Sequence, residues 1–216
     1  MARRQREPKP KKEKKPKKQK APPPPPLLYN PLKNPMPNYR TYQMSAGERL
    51  IAALGAFLAG GLCSQVFYGG LFMVDGEATT MTYVSALAFI LAVGLAAVKL
   101  FLPMRQEQLR KKRQKALSIQ FRDMLESITA SLAAGDTVHQ AFEGAYRDTC
   151  LQYGAESDLA LELEQLLLAP QSGLRLEEML QDFAQRSGLE DIESFSNVFS
   201  VCYATGGNMK DVMRRT

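Results

Sequence analysis

Residues 50–102 read LIAALGAFLAGGLCSQVFYGGLFMVDGEATTMTYVSALAFILAVGLAAVKLFL, apolar over nearly their whole length. They hold two apolar runs, Leu50 to Val74 and Met81 to Leu102, separated by the polar turn Asp75-Gly76-Glu77-Ala78-Thr79-Thr80. A helix of about 20 apolar residues crosses a ~30 Å hydrocarbon core. Each run is long enough. The turn is acidic, whereas Arg40 and Arg49 precede the first run and Arg105, Arg110, Lys111, Lys112, Arg113 and Lys115 follow the second. The positive-inside bias therefore predicts a transmembrane hairpin over residues 46–104, with spans at about 50–74 and 81–102 and both termini cytoplasmic. No apolar core precedes residue 50, and the first run is too long for a cleaved signal, so it is expected to remain as an anchor.

The net charge of +6 divides into blocks. Met1 to Lys20 hold eleven Lys/Arg and two Glu, and residues 105–116 form a second basic segment, read as a juxtamembrane helix. Leu117 to Thr216 hold seven Lys/Arg and sixteen Asp/Glu, so this C-terminal region is acidic. Blocks of this kind point to anionic lipid as the partner of the two basic segments and to a basic surface as the partner of the acidic one. Nucleic acid is not expected, because no aromatic residues interleave the basic tract to stack on bases.

Residues 1–45 read as a disordered basic and proline-rich arm: the Lys/Pro tract has almost no apolar content to offset the entropy of ordering, and Pro22 to Pro26 form a stiff polyproline rod. Tyr29 to Met44 is expected to be loop, with Tyr39 and Tyr42 close enough to the first span to sit at headgroup level. Within the spans, Ala52, Ala56, Gly60 and Ser64 form one small-residue ridge and Ala88, Ala92 and Ala96 another; such ridges let helices approach closely in lipid. Gln65 is polar within the first span and Lys99 can snorkel at the end of the second. A proton relay needs several ionisable groups at membrane depth, which argues against a transporter or channel.

Beyond Pro103 the pattern is helical throughout. Leu117, Phe121, Met124, Leu125, Ile128 and Leu132 keep a 3.6-residue period up to Gly135. Thr137 and Gln140 predict a capping box for a helix whose stripe is Val138, Ala141, Phe142, Ala145 and Thr149. A third helix is expected over Asp158 to Leu168, and a fourth carries Leu176, Met179, Leu180 and Phe183 up to Gly188. The fifth carries Ile192, Phe195, Val198, Phe199 and Cys202 to Gly206-Gly207, and a last piece follows Asn208. The fold class is all-α: a two-helix membrane hairpin followed, over residues 117–216, by a cytoplasmic bundle of five or six helices.

Chemistry is sparse. There is no P-loop, and Gly206-Gly207 sits between helices rather than after a strand, so it reads as a helix stop. His139 is the single histidine and has no nucleophile beside it in sequence. Cys63, Cys150 and Cys202 lack metal or redox spacing and are expected to be small buried hydrophobes. The acidic groups Glu162/Glu164, Glu177/Glu178 and Glu190/Asp191/Glu193 are read as solvated faces, the last set favoured by a helix N-terminus. No catalytic, cofactor-binding or metal-binding residue is assigned, and an enzyme is not expected.

Several pieces of the C-terminal region nevertheless carry a resemblance. They are Phe121-Arg122-Asp123-Met124-Leu125, Ser131-Leu132-Ala133-Ala134-Gly135 leading to Gln140-Ala141-Phe142, then Gly173. Next come Leu176-Glu177-Glu178-Met179-Leu180 with Phe183-Ala184 and Arg186, and finally Ala204-Thr205-Gly206-Gly207-Asn208-Met209 with Val212. In order and spacing they resemble the F-protein family of type II secretion systems, in the single-domain form of tight-adherence (Tad) pilus platforms of the TadB/TadC type.

The resemblance covers about Leu117 to Thr216. It implies a non-enzymatic inner-membrane scaffold without cofactors, which works with a separate cytoplasmic assembly ATPase, with pilin subunits, and with a paralogous platform protein or further copies of itself. It also implies further membrane spans after the domain, so residues 1–216 would be the front part of a longer platform or one of two cooperating polypeptides. The competing reading is a membrane-anchored adaptor whose acidic bundle binds a protein partner unrelated to filaments.

Overall fold

The computed structural model describes residues 25–68, 73–74, 77–78 and 80–204. The Lys/Pro tract, half of the polar turn (residues 75, 76 and 79) and the segment from Thr205 onward lie outside them. Among the described residues six α-helices carry the fold, and strand is confined to two short antiparallel pairs.

Helix α1 spans Ala46–Tyr68. It begins at a capping box in which Ser45 Oγ accepts from the Glu48 amide at 3.2 Å and Glu48 Oε2 accepts from the Ser45 amide at 2.9 Å. The first apolar run is thus not helical to its end. Gly69 and Gly70 follow α1 in the sequence and are poor helix formers, and Met73–Val74 form a strand, β3, paired with β4, Glu77–Ala78.

Helix α2, Thr80–Ala134, is one element of 55 residues. It carries the second apolar run, the basic segment and the first stripe of the C-terminal region without a break, so the boundaries expected at 104/105 and 116/117 fall inside a helix. Pro103 lies within it. Proline removes one backbone donor and disfavours a helix interior, yet here the helix continues past it.

Two helices are long and apolar enough to cross a membrane: Ala46–Phe67 of α1 and the apolar part of α2. Only 17% and 6% of their apolar windows are buried inside the protein, so they do not serve as core helices. Leu54, Leu58, Leu62, Leu87, Leu91 and Leu95 face outward. Between the helices packing is close: a Cβ added at Gly94 would stand 2.6 Å from the Phe57 ring, and one at Gly60 would stand 2.8 Å from Ala97 Cβ. The Ala56/Gly60/Ser64 ridge is therefore consumed inside the hairpin, while Ala88, Ala92 and Ala96 remain on its exposed face.

Helices α3 (Val138–Tyr153), α4 (Asp158–Leu168), α5 (Leu176–Ser187) and α6 (Glu190–Ala204) pack with the second half of α2 around one core. The predicted stripes supply it: Leu117, Phe121, Met124 and Ile128 from α2, Phe142 from α3, Leu163 and Leu166 from α4, Met179, Leu180 and Phe183 from α5, and Phe195 and Phe199 from α6. Phe121 meets Phe195 edge-on at 5.5 Å, and Phe142 meets Phe199 at 5.8 Å. Val198 departs from its expected stripe and is exposed. The Thr137/Gln140 capping box forms as the spacing requires. Gly188 ends α5 at φ 64°, a left-handed conformation that glycine adopts without penalty.

The largest departure lies before α1. Residues 25–45 are ordered, not a loose continuation of the arm. Strands β1, Leu27–Tyr29, and β2, Pro35–Pro37, form an antiparallel pair, and the chain that follows buries Met36, Tyr39 and Met44. Local composition hides this because the partners lie far away in sequence: Tyr39 bonds to Glu162 across 123 residues. We refer to this segment as the strap.

Candidate functional site

Three elements converge on one buried polar cluster. Helix α4 presents Glu162, α5 presents Asp182 and Arg186, and the strap inserts Tyr39. Glu162 and Arg186 are each 2% exposed and Tyr39 is 1% exposed. Arg186 Nη1 and Nη2 grip the Glu162 oxygens at 2.6 and 2.7 Å, a bidentate pair. Arg186 Nε donates to Asp182 at 2.7 Å, and Nη1 also donates to the Pro37 carbonyl at 3.2 Å. Tyr39 Oη donates to Glu162 Oε1 at 2.9 Å, while the Tyr39 amide donates to the Arg186 carbonyl at 3.0 Å.

The Tyr39 ring packs edge-on against Phe183, and the Arg113 guanidinium lies 4.9 Å from its centroid, a cation–π contact. Arg113, from α2, is itself held by Asp158 at 2.8 and 2.5 Å. One tyrosine thus touches α2, α4 and α5.

The electrostatics follow from burial. Desolvation, reinforced by the Glu162 and Asp158 charges, pushes the Tyr39 phenol far above its ordinary value, so Tyr39 is a neutral donor. Burial raises the Glu162 carboxyl, and Arg186 and Tyr39 oppose that rise without cancelling it. Burial also works against the Arg186 charge, but the hydrogen bonds and charges of Glu162 and Asp182 outweigh it and leave the guanidinium raised. With bidentate contacts this short, the proton stays on Arg186 and the pair is ionic. The Asp158 hydrogen bond likewise raises Arg113.

Such a cluster holds elements together; it does not present a nucleophile beside a free base. Glu162, expected on a solvated face, is buried instead, and Tyr39, expected at headgroup level, is inserted among α2, α4 and α5. A signal was available for one of them. Glu162 lies three residues after Leu159 and four before Leu166, on the apolar face of α4, and Arg186 lies three after Phe183 on that of α5. Charges of opposite sign on two apolar stripes call for each other. Nothing local marks Tyr39.

The other sequence-selected residues stay apart from the cluster. His139 is surface-exposed and faces Glu143 at 3.5 Å. Glu190, Asp191 and Glu193 are exposed, Glu178 pairs with Arg175, and Glu177 is buried. Cys63 is exposed on α1, contrary to expectation, because its side of the helix faces away from α2; Cys150 and Cys202 are half-buried. Among the described residues, no group of three or more His, Cys, Asp or Glu is arranged to hold a metal ion.

A second polar feature adjoins the strap. A surface cleft of about 650 Å³ is lined by Arg40, Arg110, Gln114, Glu190, Glu193 and Asn197. Gln114 donates to the Ser187 carbonyl at 2.9 Å and Arg40 Nε to the Gln185 carbonyl at 2.7 Å, so its floor is another junction of α2, the strap and α5. No protein-family model, curated protein or solved structure matches this chain.

Proposed function

We propose that the protein is an inner-membrane platform, a scaffold of a type II secretion or Tad-type pilus assembly machine. In this reading both basic flanks lie on the cytoplasmic side, and the α2–α6 unit is a cytoplasmic domain that meets an assembly ATPase. Movement imposed on that domain is passed to the membrane hairpin, where pilin subunits are extracted into a filament. The protein contributes no reaction of its own. Anionic lipid binds the basic tract and the Lys/Arg face of α2.

The observation that carries the reading is α2 itself. A helix of 55 residues that is apolar in its first half and a core element in its second is a lever shared by membrane and domain. A flexible linker would dissipate displacement; a continuous helix with Leu117, Phe121 and Met124 locked into a core passes it on. The resemblance of the α2–α6 motifs to platform proteins supports the same reading.

The test is co-purification of the tagged chain with a hexameric secretion-type ATPase, together with the surface filaments of a deletion strain. Association with loss of filaments supports the platform. Normal filaments with no ATPase association would overturn it and favour the membrane-anchored adaptor.

A further inference from the structure

The strap joins the α2–α6 unit to the start of α1, and its mode of attachment is unlike that of the core helices. Among the described residues, the main buried cluster has 21 members, and Tyr39 is the only one that precedes α2. Leu32 packs against the edge of that cluster and Met36 and Met44 are buried outside it, while the other strap contacts to the unit are polar. Asn30 and Asn34 both donate to Gln165 Oε1, at 3.2 and 2.7 Å. Arg40 reaches the Gln185 carbonyl, and Gln106 donates to the Tyr42 carbonyl.

The strap also carries its own internal frame. Beyond the β1–β2 pairing, the Asn38 amide donates to the Pro26 carbonyl at 2.8 Å, and Asn38 Nδ2 donates to the Pro25 carbonyl at 2.9 Å. The Asn34 amide donates to Asn30 Oδ1 at 2.8 Å. A segment with internal hydrogen bonds and a single side chain inside the main core can leave its seat without dismantling the helices beneath it.

When Tyr39 leaves, Glu162 keeps both bonds to Arg186, so no buried charge is stranded. Four residues, Arg40 to Gln43, lead from Tyr39 to Met44, and the chain then enters α1 through Ser45, whose capping box fixes the helix start. The seated strap therefore clamps α1 to the same unit that already holds α2.

We propose that residues 25–44 are a releasable latch: seated, Tyr39 on the Glu162–Arg186 pair fixes the start of α1 to the α2–α6 unit; released, α1 is held only by its packing against α2. The use of such a latch in a force-transmitting platform rests on the reading above. Its opening does not, because neither ATPase nor filament enters the measurement.

Hydrogen–deuterium exchange on the full chain in lipid nanodiscs tests it, by comparing peptides that cover Asn38 and Tyr39 with peptides from the centres of α3 and α5. In the unmodified protein the strap is expected to exchange at least tenfold faster than those helix centres, because it opens on its own. Tyr39→Ala should speed strap exchange by a further tenfold or more and leave the α3 and α5 centres within about twofold of their original rates. Tyr39→Phe keeps the ring against Phe183 but loses the Glu162 bond, and should fall between the two. Strap and core exchanging together in the unmodified chain would overturn the proposal. So would a Tyr39→Ala chain whose core is deprotected or unfolded along with the strap, or one whose strap stays protected.

Discussion

Replacing Arg186 by Met should destabilise the α2–α6 unit more than any exposed substitution, and the structure allows the cost to be worked through. Arg186 makes four hydrogen bonds: two to Glu162, one to Asp182 and one to the Pro37 carbonyl. Methionine fills much of the same space but donates to none of them. Glu162, 2% exposed, is then left with Tyr39 as its donor and no counter-charge. Removing one partner of a buried ion pair costs about 3–5 kcal/mol, because the other charge stays desolvated. Against a total stability of ~5–15 kcal/mol, that is a large share. Urea titration of detergent-solubilised protein followed by circular dichroism measures it. The companion variant, Arg186→Met with Glu162→Leu, removes both charges and should recover most of the loss, since an apolar replacement of a buried pair is often neutral. A single variant that costs less than about 1 kcal/mol, the range of exposed pairs, would refute the argument. So would a double variant no better than the single.

Tyr39 gives a pH prediction. Its phenol is raised above the ordinary value of 10.0, so its contribution to stability is present below that pH and is lost as pH rises through and beyond it. Tyrosinate absorbance, taken as the difference between the unmodified chain and Tyr39→Phe, should show Tyr39 ionising only as the strap is released; ionisation of Tyr39 with the strap still seated would contradict its burial. Within the hairpin, Gly94→Leu should break α1–α2 packing, because even its Cβ would lie 2.6 Å from the Phe57 ring. Ala92→Leu, on the exposed face, should be tolerated. Disulfide trapping between cysteines placed on α1 and α2 reads both, and equal trapping in the two variants would count against this packing.

The sequence was most informative where structure is set by near neighbours. Apolar runs and flanking charges located two span-length helices, the 3.6-residue stripes identified nearly all of the core, and Thr137, Gly135 and Gly188 marked helix ends through local backbone chemistry. Residues whose environment comes from distant partners were misread. Tyr39 stands in a stretch rich in proline and asparagine, and its burial comes from Phe183, Glu162 and Arg113, which no local period encodes. Glu162 was assigned to solvent by its charge, although its position on the apolar stripe of α4 pointed inward. The boundary drawn at residue 117 marks a change from basic to acidic composition, which alters the surface of a helix without ending it. Nothing breaks the helical backbone between Leu102 and Ala134, Pro103 included.

If α2 passes movement between the core and the membrane hairpin, as proposed, a flexible interruption of that helix should abolish the transfer. A short Gly-Ser insertion after Lys112 leaves the apolar runs and the α3–α6 residues unchanged but breaks the helix between them. If the chain is the proposed platform, the variant should still insert in the membrane and still associate with an assembly ATPase, while surface filaments are lost. Filaments assembled at the normal level on that interrupted helix would contradict it.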